Sequence, residues 1–253
     1  MKFSPYLLIP FIAINACSDS EEQSENTSAD EVNQTIDSSI VIEDIGDLTI
    51  IDSTTLPKRM QDEANMILSW ADGDLDKDGV SEKVVVYSRD LEWESSAPRD
   101  LVIYKQTDGE WEEWVNTDNT IGRADEGGMM GDPFGGIAIK NGILEINHSG
   151  GSSWKWGNTH KYRFQDGDFY LIGYTGVYGK PCLYWEDRDY NLSTGDCTFT
   201  FEAEECEEYA AEEDYGPKRE ESFNHKMKNL PTLIDMREYS YTFQSPNGED
   251  FYL

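Results

Sequence analysis

The feature that most narrows the fold is a run of alternate aspartates that ends on a β-branched strand. Asp74, Asp76 and Asp78 are followed by Gly79, Val80 and Glu82, and then by Lys83, Val84, Val85, Val86 and Tyr87. Carboxylates at the first, third and fifth positions of a turn, with glycine at the sixth, suit a backbone folded around a hard cation. Gly79 permits the sharp reversal that aims the three acids inward. An EF-hand is excluded, because its loop needs a bidentate glutamate at position twelve and a helix on each side. Position twelve here is Val85, inside a strand-forming run, and the fourth acid, Glu82, falls at position nine. Four carboxylates this close repel one another unless a cation neutralises them, and oxygen donors favour Ca²⁺. The plainer reading is an acidic β-turn without metal, since Asp-Gly is also a common turn signal.

The pattern resembles the calcium loops of FG-GAP (integrin-type propeller) repeats, in which D-x-D-x-D-G-x-x-D leads into a hydrophobic strand. The resemblance implies that Asp74, Asp76 and Asp78 ligate through side chains and Val80 through its carbonyl. Glu82 would ligate directly or through water, with glutamate in place of the family's aspartate. Only one such motif is visible, so a complete seven-bladed propeller is not supported.

The chain begins with Lys2 and an apolar stretch over residues 5–14 that is too short to span a bilayer and carries Pro5 and Pro10. It reads as a signal peptide. Ile14-Asn15-Ala16-Cys17 resembles a bacterial lipobox, which implies acylation of Cys17 and a lipid anchor in the membrane. Ordinary secretion, with Cys17 left in the discarded peptide, is the alternative. Ser18 follows the cysteine, and by the same resemblance this favours the outer membrane of a bacterial envelope. Residues 18–45 are polar and acidic without one Lys or Arg, which predicts a disordered tether. The organisation is therefore leader 1–17, tether 18–45 and a folded part over 46–253.

Twenty basic residues against 51 acidic ones give a net charge of −31. Such a surface repels nucleic-acid phosphate and anionic headgroups, so nucleic acid is excluded as a partner. Apart from Cys17, the cysteines are Cys182, Cys197 and Cys206, enough for one disulfide and one spare thiol. No C-x-x-C spacing argues for zinc.

Between 46 and 253 the chain reads as mainly β, a single domain of antiparallel hairpins. Strand-like runs at 48–51, 66–70, 84–87, 101–104, 111–115, 137–139, 143–147, 159–164, 169–174, 197–201 and 239–243 are punctuated by turn signals. Asp108-Gly109, Asn141-Gly142 and Asp166-Gly167 mark hairpins. Residues 202–214 are densely acidic and read either as a short solvated helix or as a disordered insertion.

Residues 127–156 are the densest unusual stretch. Paired glycines recur at both ends of one predicted hairpin, which sets the two glycine-rich segments near each other. One reading is a ligand groove built from Asp132, His148, Trp154 and Trp156, with tryptophan faces stacking on sugar rings. The other, favoured by the i, i+2 spacing of Trp154 and Trp156, is a twisted hairpin whose tryptophans fill the core. His160 reads as a surface histidine. The loop, the segment Gly131-Asp132-Pro133-Phe134-Gly135 and the series His148, Gly150, Gly151, Ser152, Trp154, Trp156 together resemble a group of uncharacterised bacterial envelope lipoproteins. The likeness covers about residues 74–173 and implies location and fold, not an activity.

Three functions fit these features. The first is a non-enzymatic, calcium-binding envelope module with a protein or glycan partner, and it needs nothing beyond them. The second is a glycan hydrolase with paired carboxylates. Glu92, Glu94, Glu110, Glu112 and Glu113 supply acids for it, but no spacing singles out two, and no G-x-S-x-G or H-E-x-x-H motif is present. The third is an inhibitor or immunity-type lipoprotein that meets a basic protein through its charge.

Overall fold

A computed structural model describes residues 39–44, 47–52, 55–92, 95–204, 206, 215–235 and 241–253. The leader with Cys17, the tether up to residue 38, Glu94 and most of the acidic stretch 202–214 lie outside the described residues. The folded chain is mainly β, as its alternation requires.

Two strands, β1 (Ser39–Asp44) and β2 (Asp47–Asp52), form an antiparallel ribbon. This shortens the tether expected to run to residue 45: Ile40, Val41 and Ile42 form a β-branched run that favours extended backbone. A short helix, α1 (Lys58–Asp62), precedes a four-stranded meander of β3 (Ile67–Gly73), β4 (Glu82–Ser88), β5 (Arg99–Thr107) and β6 (Glu110–Thr117). A seven-stranded meander follows: β7 (Phe134–Lys140), β8 (Ile143–Gly151), β9 (Lys155–Gln165), β10 (Asp168–Lys180), β11 (Tyr184–Asn191), β12 (Asp196–Ala203) and β13 (Arg219–Asn224). A ribbon of β14 (Thr242–Gln244) and β15 (Asp250–Tyr252) closes the described chain. Most strands that pair in sequence order are joined by tight turns. Asp108-Gly109, Asn141-Gly142 and Asp166-Gly167 all take positive φ at both residues, the geometry that matches strand twist.

The central strands β4 and β5 of the four-stranded sheet are buried on both faces, which explains the unbroken apolar run of β4. Val84, Val86, Leu101 and Ile103 join the main core with Leu144, Ile146, Tyr162 and Leu171 of the large sheet. On the opposite face Val85, Tyr87, Val102 and Tyr104 pack beneath Leu56 and Met60. Each fully buried side chain of this size contributes roughly 1.5–3 kcal/mol. Arg59 fastens α1 to this face: it donates to Asp100 at 2.7 Å and lies 4.4 Å from the centre of the Tyr87 ring. The buried Tyr87 and Tyr104 hydroxyls satisfy one another at 3.0 Å. Where β3 meets β7, a Cβ on Gly73 would sit 2.4 Å from Ile139 Cγ2, so only glycine allows that approach.

Register fixes which residues share the inner face of the large sheet. One row runs Ile146, His160, Tyr174, Tyr190, Cys197 and Phe223, and belongs to the core. The next two rows are His148, Asn158, Gly176, Arg188 and Phe199, then Gly150, Trp156, Tyr178, Glu186 and Phe201. Phe251 and Phe243 of the closing ribbon pack on Phe223 and Tyr190. Cys182 and Cys206 form the disulfide, and Cys197 is the buried free thiol. Among the described residues no helix is long and apolar enough to cross a membrane.

Candidate metal centre and sheet-face groove

The aspartate loop is the connection between β3 and β4, closed by the pairing of Gly73 with Glu82. Lys77 and Gly79 both take positive φ, 65° and 92°, which curls the loop back on itself. Asp74, Asp76 and Asp78 converge, with one oxygen of each within 4.8 Å of the others. Loop amides hold the carboxylates in place. Gly79 N–H donates to Asp74 at 3.0 Å, Asp78 N–H to Asp76 at 3.1 Å, and Val80 N–H to Asp78 at 2.8 Å. The Val80 side chain itself is exposed. Leu75, 1% exposed, plugs the loop into the core. The Asn141-Gly142 turn of β7–β8 abuts it, with the Gly142 Cβ direction 3.0 Å from the Asp74 carbonyl.

Glu82, at the first position of β4, is not part of that converging group but lies buried next to it in the loop's closure. Its side chain is fully buried, and Oε2 accepts the Leu75 N–H at 2.7 Å. Oε1 has no hydrogen-bond partner, and neither does Asp74 Oδ1. Burial raises the Glu82 carboxyl above the ordinary glutamate range, and the charges of Asp76 and Asp78 push it further up. A buried carboxylate oxygen without a partner is costly. A cation bound by hard oxygen donors removes that cost, so the residues present fit a divalent metal ion.

Sequence reasoning missed one member of the site. Lys105 on β5 reaches Asp76 and Asp78 with its ammonium, the second contact at 2.8 Å. The hydrogen bonds that Lys105 donates to Asp76 and then to Asp78 raise its pKa, and Lys105 in turn lowers that of Asp78. The ammonium stands where a cation is wanted. No local spacing links Lys105 to the loop; the sheet register does, by pairing Tyr104 with Lys83 one residue away.

The glycine-rich segments come together as their recurrence suggests. Gly151 N–H donates to the Gly127 carbonyl at 2.8 Å. A Cβ on Gly150 would meet that carbonyl and the Trp156 indole, both at 2.7 Å. The four residues read as a groove divide here. Asp132 is held by both guanidinium nitrogens of the buried Arg99, Nη1 at 2.7 Å, and it also accepts the Phe134 N–H. Burial opposes its ionisation, but Arg99 and the Phe134 amide keep its pKa below the usual carboxylate range. Its work is to pin the segment after Gly131 to β5. Trp154 lies just before β9 and stacks on Tyr178 at 5.4 Å, with the planes 6° apart. His148 Nε2 accepts the Gly122 N–H at 3.0 Å. His148 and Trp156 line a cavity of about 200 Å³ together with Asn158, His160 and Tyr162; Asp132 and Trp154 do not. The tryptophans are half-buried and are not core residues.

A second, larger cavity of about 530 Å³ opens beside the first and shares Trp156 and Asn158 with it. Tyr174, Gly176, Tyr178 and Arg188 form its floor, and Gly248, Glu249, Asp250 and Tyr252 near the C-terminus its wall. His160 is not the surface histidine its sequence setting suggests. It faces inward from β9, its Nε2 is shielded and unpartnered, and burial lowers its pKa to about 4.

A scan against protein-family models finds no match for the chain, and searches of curated proteins and of solved structures find no significant match.

Proposed function

We propose that this chain is a calcium-stabilised, non-enzymatic binding module carried on a lipid anchor at the outer membrane of a bacterial envelope. One observation carries the metal reading: the fully buried Glu82 leaves Oε1 unpaired beside three converging aspartates, and Asp74 leaves a second shielded oxygen unpaired. A turn that merely happened to be acidic would send its carboxylates into water; this one turns two carboxylate oxygens inward. Four carboxylates, a carbonyl at Val80 and solvent make a donor set that suits Ca²⁺ better than the rigid octahedron of Mg²⁺. The anchor and the location follow from the resemblance of residues 14–17 to a lipobox. Lys105 serves as the resident counter-charge while the ion is away, so the fold tolerates metal-free intervals.

Titration calorimetry on the folded protein tests this. Calcium is expected to bind with Kd of about 10⁻⁴ to 10⁻³ M, the range of extracellular calcium modules. Asp76→Ala abolishes the uptake. Absence of calcium uptake by correctly folded protein at millimolar concentrations would remove the metal from this reading.

A further inference from the structure

The inner face of the large sheet is not fully covered. Its core rows are sealed by the small sheet and the closing ribbon, but the rows through Asn158–Gly176–Arg188 and Trp156–Tyr178–Glu186 border the two adjoining cavities. The larger, about 530 Å³, falls within the range of roughly 300–1,000 Å³ typical of small-molecule sites. Asn158 Oδ1, on the border of both cavities, and His160 Nε2, in the adjoining core row at the edge of the smaller cavity, are shielded from solvent and have no hydrogen-bond partner. Around them stand aromatic rings: Trp156 and Tyr174 on the floor, and Tyr178 and Tyr252 partly exposed at 39% and 58%. Unpaired polar atoms beneath aromatic faces call for a ligand with hydroxyls on its edges and C–H groups on its flat sides.

We infer that this groove binds a neutral saccharide, a pyranose ring lying against the Trp156, Tyr178 and Tyr252 surfaces with hydroxyls directed to Asn158 and His160. Charge decides against the other ligand classes. Glu186 is paired with Arg188 at 2.9 Å, and Glu249 with Arg219 at 3.5 Å. Asp250 accepts from Gln244 and Tyr252 at 2.9 and 3.1 Å. The acids are therefore satisfied, and Arg188 on the floor disfavours an organic cation. Anions are repelled by the net charge of −31. An extended peptide cannot add as a strand, because β9, β10 and β11 are already paired on both edges. His160, with its pKa lowered to about 4, stays a neutral imidazole that can exchange a hydrogen bond with a hydroxyl. The inference rests on the binding-module part of the proposed function and stands apart from calcium.

The full chain is titrated with cellotriose, maltotriose and triacetylchitotriose up to about 10 mM each, followed by tryptophan fluorescence and saturation-transfer NMR. At least one trisaccharide binds saturably, and Asn158→Ala weakens it about tenfold, the loss of one hydrogen bond. The melting temperature of Asn158→Ala stays level or rises, since an unpaired amide oxygen is removed. Tyr252→Ala, at an exposed position, weakens binding severalfold without unfolding the protein. No saturable binding of any of the three overturns the inference. So does binding that both variants leave intact, or capture of phenyltrimethylammonium in place of the sugars. Calcium uptake measured on the same sample reports separately on the loop, so failure of either reading is distinguishable.

Discussion

Replacing Glu82 by glutamine separates a metal ligand from a merely buried acid. Glutamine preserves the shape and an oxygen for the Leu75 N–H, which Glu82 accepts at 2.7 Å, but removes the charge. Without calcium the substitution relieves a buried carboxylate whose pKa is raised by burial and by Asp76 and Asp78, so the midpoint rises. With calcium the same substitution removes a charged ligand. At about 10 mM calcium and a Kd of 10⁻⁴ to 10⁻³ M, linkage gives the native protein about 1.4–2.7 kcal/mol. That corresponds to a rise of roughly 3–11 °C, at about 2–4 °C per kcal/mol for a chain of this size. A tenfold loss of affinity in Glu82→Gln, the low end for perturbing a metal site, removes about 1 kcal/mol of that gain. Differential scanning calorimetry in EDTA and in calcium should therefore give crossed curves, with the variant above the parent without metal and below it with metal. A Glu82→Gln midpoint displaced equally in both buffers refutes the assignment of Glu82 to the ion.

Lys105→Met removes the ammonium that competes for Asp76 and Asp78, so calcium affinity measured by calorimetry rises severalfold while the metal-free midpoint falls. His160 has a folded pKa of about 4, below its unfolded value of 6.5, so the unfolded chain takes up the proton first. Its contribution is intact above pH 6.5 and is lost as pH falls towards 4, about 1.4 kcal/mol per pH unit in urea melts; His160→Gln flattens that slope. Gly150→Ala forces a Cβ to within 2.7 Å of the Gly127 carbonyl and the Trp156 ring, and overpacking of this kind lowers stability by about 1–3 kcal/mol in denaturant titration. Replacing both Cys182 and Cys206 by serine lowers stability by about 3 kcal/mol. The Cys197 thiol, pushed up to about 11 by burial, resists Ellman's reagent at pH 8 until the chain unfolds.

The hairpins were legible because their signals are local. An Asx-Gly pair requires positive φ at both positions, and three such pairs turn where they stand in the chain. The aspartate loop was legible for the same reason: its acids, its glycine and the following strand lie within fourteen residues, Asp74 to Tyr87. What escaped depends on register between distant strands. Lys105 reaches the loop only because β5 pairs with β4, and nothing near it in sequence announces a partner 29 residues away. Asp132 reads as a free acid in a glycine-rich segment until Arg99, 33 residues earlier, is brought against it. His160 reads as a surface histidine because no partner stands near it in the sequence; Thr159 and Lys161 flank it in β9. Strand alternation put those two on the outer face and His160 on the inner one, but which face would be covered depends on the other sheet.

The loop and the groove share one structural member, the β7–β8 hairpin, at its opposite ends. Its Asn141-Gly142 turn abuts the Asp74 carbonyl, while Gly150 at the far end of β8 lies beneath the Trp156 indole. At about 3.3 Å per residue the two ends are roughly 25 Å apart, beyond direct contact between an ion and a ligand. A bound cation cannot therefore act on the groove by touching what it holds. Under the proposed function it acts instead by ordering the β3–β4 connection against which the hairpin turn rests. Two carboxylate oxygens turned inward at the loop, and two unpaired polar atoms beneath aromatic rings at the groove, are unmet demands of different chemistry. One calls for charge and the other for hydroxyls, so a single ligand does not answer both. Under the two proposals the work is thus divided between an ion that would fix the scaffold and a neutral ligand to which the scaffold would present itself.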